Sequence, residues 1–192
     1  MDEQGQRRLD RPREGTPAIA STRYRHLLGV PGAFAGAVML ATLSTLLWRP
    51  HPVLVWNASA SSPVGLYAVV RTRELRVGDM AVAWAPDGAR RLAAARRYLP
   101  LDVPLVKRVS AAAGARVCGA GSSVLINGRL AARRRVRDRL GRPMPWWPGC
   151  RILRPGEFFL LSPRTPDAFD GRYFGITSSN QIVGKASLLW PR

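Results

Sequence analysis

Hydrophobic and polar positions divide the chain into three stretches. Residues 1–26 are polar, with six arginines and four acids. Residues 27–48, LLGVPGAFAGAVMLATLSTLLW, carry no charge. Beyond residue 49 the apolar residues come in short runs bounded by Gly, Pro, Asp or Asn, the pattern of strands joined by turns. The runs at 65–71, 80–85, 105–110, 123–126, 157–161 and 182–185 predict strands. Asn127-Gly128 predicts a hairpin turn, because both residues accept positive φ. Residues 89–98 (ARRLAAARRY) predict the one helix of this stretch. Residues 129–149, rich in Arg and then in Pro and Trp, read as an irregular excursion. The expected domain is mainly β, and the pattern leaves its topology open.

The uncharged run predicts a membrane helix. At helical rise its 22 residues reach about 33 Å, enough for a bilayer core. A helix buried in a soluble core would not be apolar on all sides over that length. A cleaved signal peptide would have a shorter apolar region and a shorter leader, and Ala58-Ser59-Ala60 lies further from the run than such a cleavage site should. Trp48 and Trp56 suit the interface, and Arg49 marks the exit. The arginines of the leader place the N-terminus in the cytoplasm, since long exported domains cross largely regardless of their charge. The expected organisation is a cytoplasmic tail (1–26), an anchor (27–48) and an exported domain (49–192). In an oxidising compartment Cys118 and Cys150, the only cysteines, read as one disulfide.

Composition narrows the chemistry. Of 30 basic residues only Lys107 and Lys185 are lysines, and the two histidines, His26 and His51, precede the domain's first predicted strand. A Ser-His-Asp triad within 52–192 is therefore excluded. Two cysteines and two distant histidines make no metal site of zinc spacing, and no phosphate-binding glycine loop is present, so neither metal nor cofactor is expected. A serine nucleophile would need a lysine as its base, and a lysine serves only if burial lowers its pKa. Lys107 sits in the apolar run VPLVKRV at 103–109, where arginine, never deprotonated, could not replace it. Lys185 is the only spare. The candidate serines lie in NASASSPVGLY at 57–67, whose small residues expose hydroxyls and backbone donors together.

These residues carry a resemblance. Ser-x-Pro-x-Gly-Leu-Tyr at 61–67, Gly-Asp-x-x-Val at 78–82, Leu-Val-Lys-Arg-Val at 105–109, Ile-Asn-Gly at 126–128 and Phe-Asp-Gly-Arg-Tyr-Phe-Gly at 169–175 follow one another in order. Together they resemble the serine–lysine signal peptidases, and most closely the conjugative-transfer (TraF-type) branch that processes pilin precursors. Asn57 through Gly65 matches that branch's Asn-x-Thr/Ser-x-Ser-x-Pro-x-Gly signature. The resemblance implies a mainly-β, signal-peptidase-like multi-sheet catalytic domain behind one N-terminal transmembrane helix. It implies Ser61 as nucleophile in preference to Ser62, Lys107 as general base, and Ser59 as an oxyanion donor beside the Ser61 N–H. Asp170 would belong to the catalytic set, with Arg172 bracing the site. The implied partners are membrane lipid and an exported, pilin-like precursor with small residues before the cleaved bond, which the enzyme would hydrolyse or cyclise. The implied location is the bacterial inner membrane, single-pass, with a periplasmic catalytic domain.

The chain departs from the family pattern at three places. Ala168 and Gly171 stand where serines often flank the aspartate and orient the lysine. Leu161-Ser162-Pro163 replaces the Gly-Asp-Asn of leader peptidases, and Ser62 replaces the methionine after the nucleophile. The last two favour the conjugative branch. The missing serines favour the alternative, a non-catalytic membrane-anchored component of a conjugation or secretion assembly. The net charge of +18 raises a third class, a binder of DNA or another anionic surface, through Arg129, Arg133, Arg134, Arg135, Arg137, Arg139 and Arg142. An exported domain lies across the membrane from cytoplasmic DNA, so no nucleic acid partner is expected.

Overall fold

The computed structural model describes the backbone of residues 24–47 and 53–192. The leader with its arginines up to Arg23, and Trp48 and Arg49 at the expected membrane exit, lie outside the described residues. The chain divides into two units, Met1–Pro50 and His51–Arg192. The first holds α1 (Tyr24–Leu47), whose side chains are described over 32–44 and are all exposed there, Phe34, Met39 and Leu40 among them. Among the described residues no helix is long and apolar enough to cross a membrane.

The second unit is two antiparallel sheets. Its elements are β1 (Leu54–Asn57), β2 (Gly65–Val70), β3 (Met80–Ala83), α2 (Asp87–Ala95), β4 (Leu105–Ala111), β5 (Arg116–Ala120), β6 (Ser123–Ile126), β7 (Arg129–Arg133), β8 (Gly149–Ile152), β9 (Glu157–Leu161), α3 (Gly171–Phe174), β10 (Thr177–Ser178) and β11 (Ile182–Pro191). The larger sheet runs β1-β2-β11-β3-β4-β9-β10 and the smaller β7-β6-β5-β8. The mainly-β expectation holds, and each of the six predicted strands is present. The predicted helix begins two residues earlier than expected and stops at Ala95.

The excursion at 129–149 is more regular than its composition implied. Its first residues form β7, because Asn127 (φ 50°) and Gly128 (φ 79°) turn the chain back onto β6. Its last residue opens β8, which pairs with β5 and sets Cys150 opposite Cys118, and the two are disulfide-bonded. Only residues 134–148 remain largely irregular.

β4 lies between β3 and β9 and is buried on both faces. One face packs Val106 with Tyr67, Val69, Val82 and Val183. The other packs Val109 with Ala81, Ala83 and Leu160. A register irregularity between Val109 and Ala111 turns Ala111 toward Phe159 and Leu161, which join the larger sheet to Val117 and Val124 of the smaller. Phe159 and Leu161, both completely buried and each worth about 1.5–3 kcal/mol as a large apolar side chain, account for much of this junction.

Gly65 starts β2 at φ +152°, and a Cβ placed there would lie 2.1 Å from the Trp190 carbonyl oxygen. Gly65→Ala should therefore cost about 2–3 kcal/mol, because backbone and not a flexible side chain blocks the methyl. Thermal unfolding checks this. Gly78→Ala, at φ +99° with open space around it, should lose less.

Candidate active site

The loop between β1 and β2 is built around one side chain. Asn57, 7% exposed, donates from Nδ2 to the carbonyls of Ser59 (3.0 Å), Ser62 (3.1 Å) and Pro63 (2.9 Å). Its Oδ1 accepts the Ser59 N–H at 3.1 Å. Tyr67 O–H donates to the Pro63 carbonyl at 2.8 Å. These bonds curl 57–63 into a fixed turn, so the small-residue stretch is not a free linker. The sequence placed Asn57 in a signature but gave it no task; satisfying the turn's carbonyls is that task.

The turn separates its serines. Ser62 points into the fold, where its hydroxyl donates to the Val106 carbonyl of β4 at 2.7 Å. Ser61 faces the other way, with Oγ 2.5 Å from Lys107 Nζ. Ser59 Oγ lies 2.8 Å from Ser61 Oγ and accepts the Ser61 N–H at 3.3 Å. Three of the residues singled out in the sequence thus meet, although 46 positions separate Ser61 from Lys107.

Lys107 is 3% exposed at the middle of β4, with Ala81 of β3 as its register partner. Burial lowers its pKa from 10.5 to about 8; the Asp170 charge opposes that shift and the Arg172 charge assists it. A hydroxyl held against an amine of that basicity can give up its proton near neutral pH. Lys185, the spare, pairs with Asp79 at 2.7 Å and is nearly half exposed, an ordinary surface ion pair.

Asp170 and Arg172 are both buried, at 0% and 1% exposure. Asp170 caps α3 by accepting the Arg172 N–H at 3.1 Å, and it receives the guanidinium through Nε (2.8 Å) and Nη2 (3.0 Å). Ser162, at the end of β9, donates its N–H to Asp170 (2.8 Å) and accepts Arg172 Nη2 at its carbonyl (2.9 Å). Arg172 also donates to the Pro166 carbonyl at 3.0 Å. The pair is thereby saturated, and it acts on Lys107 through charge. The Ser162 hydroxyl is buried without a hydrogen-bond partner.

The two absent serines have a packing context. A Cβ on Gly171 would lie 2.8 Å from the Leu160 carbonyl and 3.1 Å from the Phe159 ring, so no serine fits there. Ala168 is 3% exposed.

Ser61 and Lys107 open onto a cavity of about 920 Å³. Val55, Ala58, Leu105 and Phe169 supply apolar lining, and Arg96, Arg135, Arg137, Arg139 and Arg142 supply cationic lining. Four members of the predicted arginine patch therefore line the cavity. The other three diverge: Arg134 stacks over Trp146 at 3.1 Å, and Arg129 and Arg133 lie on β7. The patch is not one surface. Among the described residues no group of His, Cys, Asp or Glu could hold a metal ion.

A family model for signal peptidase, peptidase S26, matches residues 29–190. Two plasmid transfer proteins TraF of Escherichia coli are similar to the chain. One is 30% identical over 154 residues, spanning 78% of this chain and 83% of the relative. The other is 32% identical over 160 residues, spanning 81% and 83%. A solved structure, a signal peptidase I of Enterococcus faecalis, overlaps 59% of this chain and 98% of its own at 17% identity and a TM-score of 0.34.

Proposed function

Because the chain belongs to the signal peptidase S26 family, we propose that it is a membrane-anchored serine endopeptidase that cleaves exported precursors with a Ser61–Lys107 dyad. The observation that carries this reading is the 2.5 Å approach of Lys107 Nζ to Ser61 Oγ at an amine whose pKa is lowered to about 8. Lys107 takes the Ser61 proton as Oγ bonds to the scissile carbonyl carbon. The carbonyl oxygen, now negative, accepts from the Ser59 hydroxyl and from the Ser61 N–H, which in the free enzyme donates to Ser59 Oγ. Lys107 then protonates the leaving amine as the C–N bond breaks. Water attacks the acyl carbon, losing a proton to Lys107, which returns it to Ser61 Oγ as the C–Oγ bond breaks and the new C-terminal carboxyl leaves.

The TraF relatives support a role in conjugation, with a pilin-like precursor as substrate and small residues before the cleaved bond. In that setting the precursor's own amine can replace water and close a ring. Residues 27–48 would anchor the enzyme in the inner membrane with residues 1–26 in the cytoplasm and 49–192 as the periplasmic catalytic domain.

Ser61→Ala should reduce processing of a co-expressed precursor by at least about a thousandfold with the fold intact. Ser62→Ala should behave oppositely: it loses a buried hydrogen bond, about 1 kcal/mol of stability, yet keeps cleavage. Immunoblotting of the precursor beside circular dichroism of both variants separates the two. Full processing by Ser61→Ala would remove the nucleophile assignment.

A further inference from the structure

The cavity beside Ser61 is cationic in a way its own acids cannot cancel. Five guanidiniums share its lining with two carboxylates, Asp138 and Asp167. Each carboxylate is already divided between two arginines. Asp167 meets Arg135 and Arg139, both at 2.7 Å. Asp138 meets Arg142 at 2.7 Å and Arg96 at 4.0 Å, and Tyr98 O–H donates to it as well. Arg137 donates to the Gly141 carbonyl, a neutral partner. Leaving Lys107 aside, the arginines of the lining outnumber its acids by three.

That surplus persists across the working pH range. The Arg139 hydrogen bond holds the Asp167 carboxyl below its ordinary pKa. Burial would raise that of Asp138, but hydrogen bonds from Tyr98 and Arg142 overcome it and leave the carboxyl well below the usual range. Both acids stay ionised and occupied, so no free carboxylate remains to receive a lysine or arginine from a ligand.

The geometry points to a specificity device: Arg137, Arg139 and their neighbours select precursor segments that carry Asp or Glu close to the cleaved bond. This rests on the peptidase reading above. The apolar floor takes small uncharged side chains, while Arg137, bound only through one Nη to the Gly141 carbonyl, and the outer N–H groups of Arg139, 81% exposed beyond its bonds to Asp167, face a carboxylate on the same segment. Arginine suits this task because its planar fork donates two N–H groups to the oxygens of one carboxylate. A basic segment would meet only repulsion, so the same residues reject as well as attract.

Peptide binding to the full-length Ser61→Ala chain tests the device without turnover. Fluorescent ten-residue peptides with Ala before the bond would carry Glu, Gln or Lys at the flanking positions. Anisotropy should rank Glu over Gln by about tenfold and Gln over Lys, with the gaps closing in high salt as the charges are screened. Arg137→Gln combined with Arg139→Gln should bring the Glu-to-Gln ratio toward one. Equal binding of the three peptides, no binding, or tighter binding of a single-stranded oligonucleotide of matched length would overturn the proposal. Cleavage of the peptides by the unmutated chain reads out the peptidase assignment separately. Cleavage with no Glu preference sinks the selection alone, whereas Glu-selective binding without cleavage sinks the peptidase reading alone.

Discussion

Lys107→Met should abolish precursor cleavage and make the protein more stable. With Lys107 as the proposed base, the thioether cannot take the Ser61 proton, and activity should fall by at least about a thousandfold. Stability moves the other way for the reason that makes the lysine useful. Its folded-state pKa of about 8 lies below the 10.5 of an unperturbed lysine, so the unfolded chain binds the proton more tightly. At pH 7 the folded protein holds a poorly solvated, mostly protonated amine at a cost of about 3 kcal/mol, and methionine, of similar length, removes it. The sign fixes the pH dependence. Above pH 10.5 both states carry the neutral amine and the stability difference vanishes; it grows as pH falls toward 8 and is complete below that. Chemical denaturation of both proteins at pH 7 and pH 10 measures it. The unmutated enzyme should show the kinetic counterpart, with kcat/KM rising with pH to a plateau past a midpoint near 8. A flat profile from pH 6.5 to 9 would remove Lys107 as the base.

The sequence made some of this legible and hid the rest for physical reasons. The β4 and β9 runs stood out because both strands are buried on two faces and so read as continuous apolar stretches. A single lysine inside such a run is chemically conspicuous in a chain that otherwise uses arginine. β1, β5, β7, β8 and β10 escaped because these strands are at most five residues long, carry few buried apolar positions, and owe their conformation to a pairing partner and not to their own pattern. Ser61 and Ser62 are equivalent in composition, and apart from the signature's spacing it is the Asn57-centred turn and the Val106 carbonyl that tell them apart. The arginines were visible as a count, and the count implied one patch. Their division by Asp138, Asp167 and Trp146 depends on contacts from distant segments that no local pattern encodes.

Breaking the Asp170–Arg172 pair from its two sides should destabilise the protein equally and shift the pH profile of the remaining activity in opposite directions. Asp170→Asn leaves the Arg172 guanidinium buried at 1% exposure without its counter-charge, and Arg172→Met leaves the Asp170 carboxylate at 0% without its fork. Each should cost about 3–5 kcal/mol, because the surviving charge keeps its desolvation penalty and loses its compensation. Stability loss alone would fit any buried ion pair. The pH profile carries the further information, since Asp170 raises the Lys107 pKa and Arg172 lowers it. In Asp170→Asn the raising charge is gone and the lowering one remains, so Lys107 deprotonates more readily and the midpoint moves below about 8. In Arg172→Met the carboxylate acts unopposed and the midpoint moves above it. Single-turnover cleavage across pH, run at low temperature to keep both variants folded, reads the two midpoints. Shifts of the same sign, or none, would mean that the pair supports only the α3 cap and the end of β9, and that burial alone sets the basicity of Lys107.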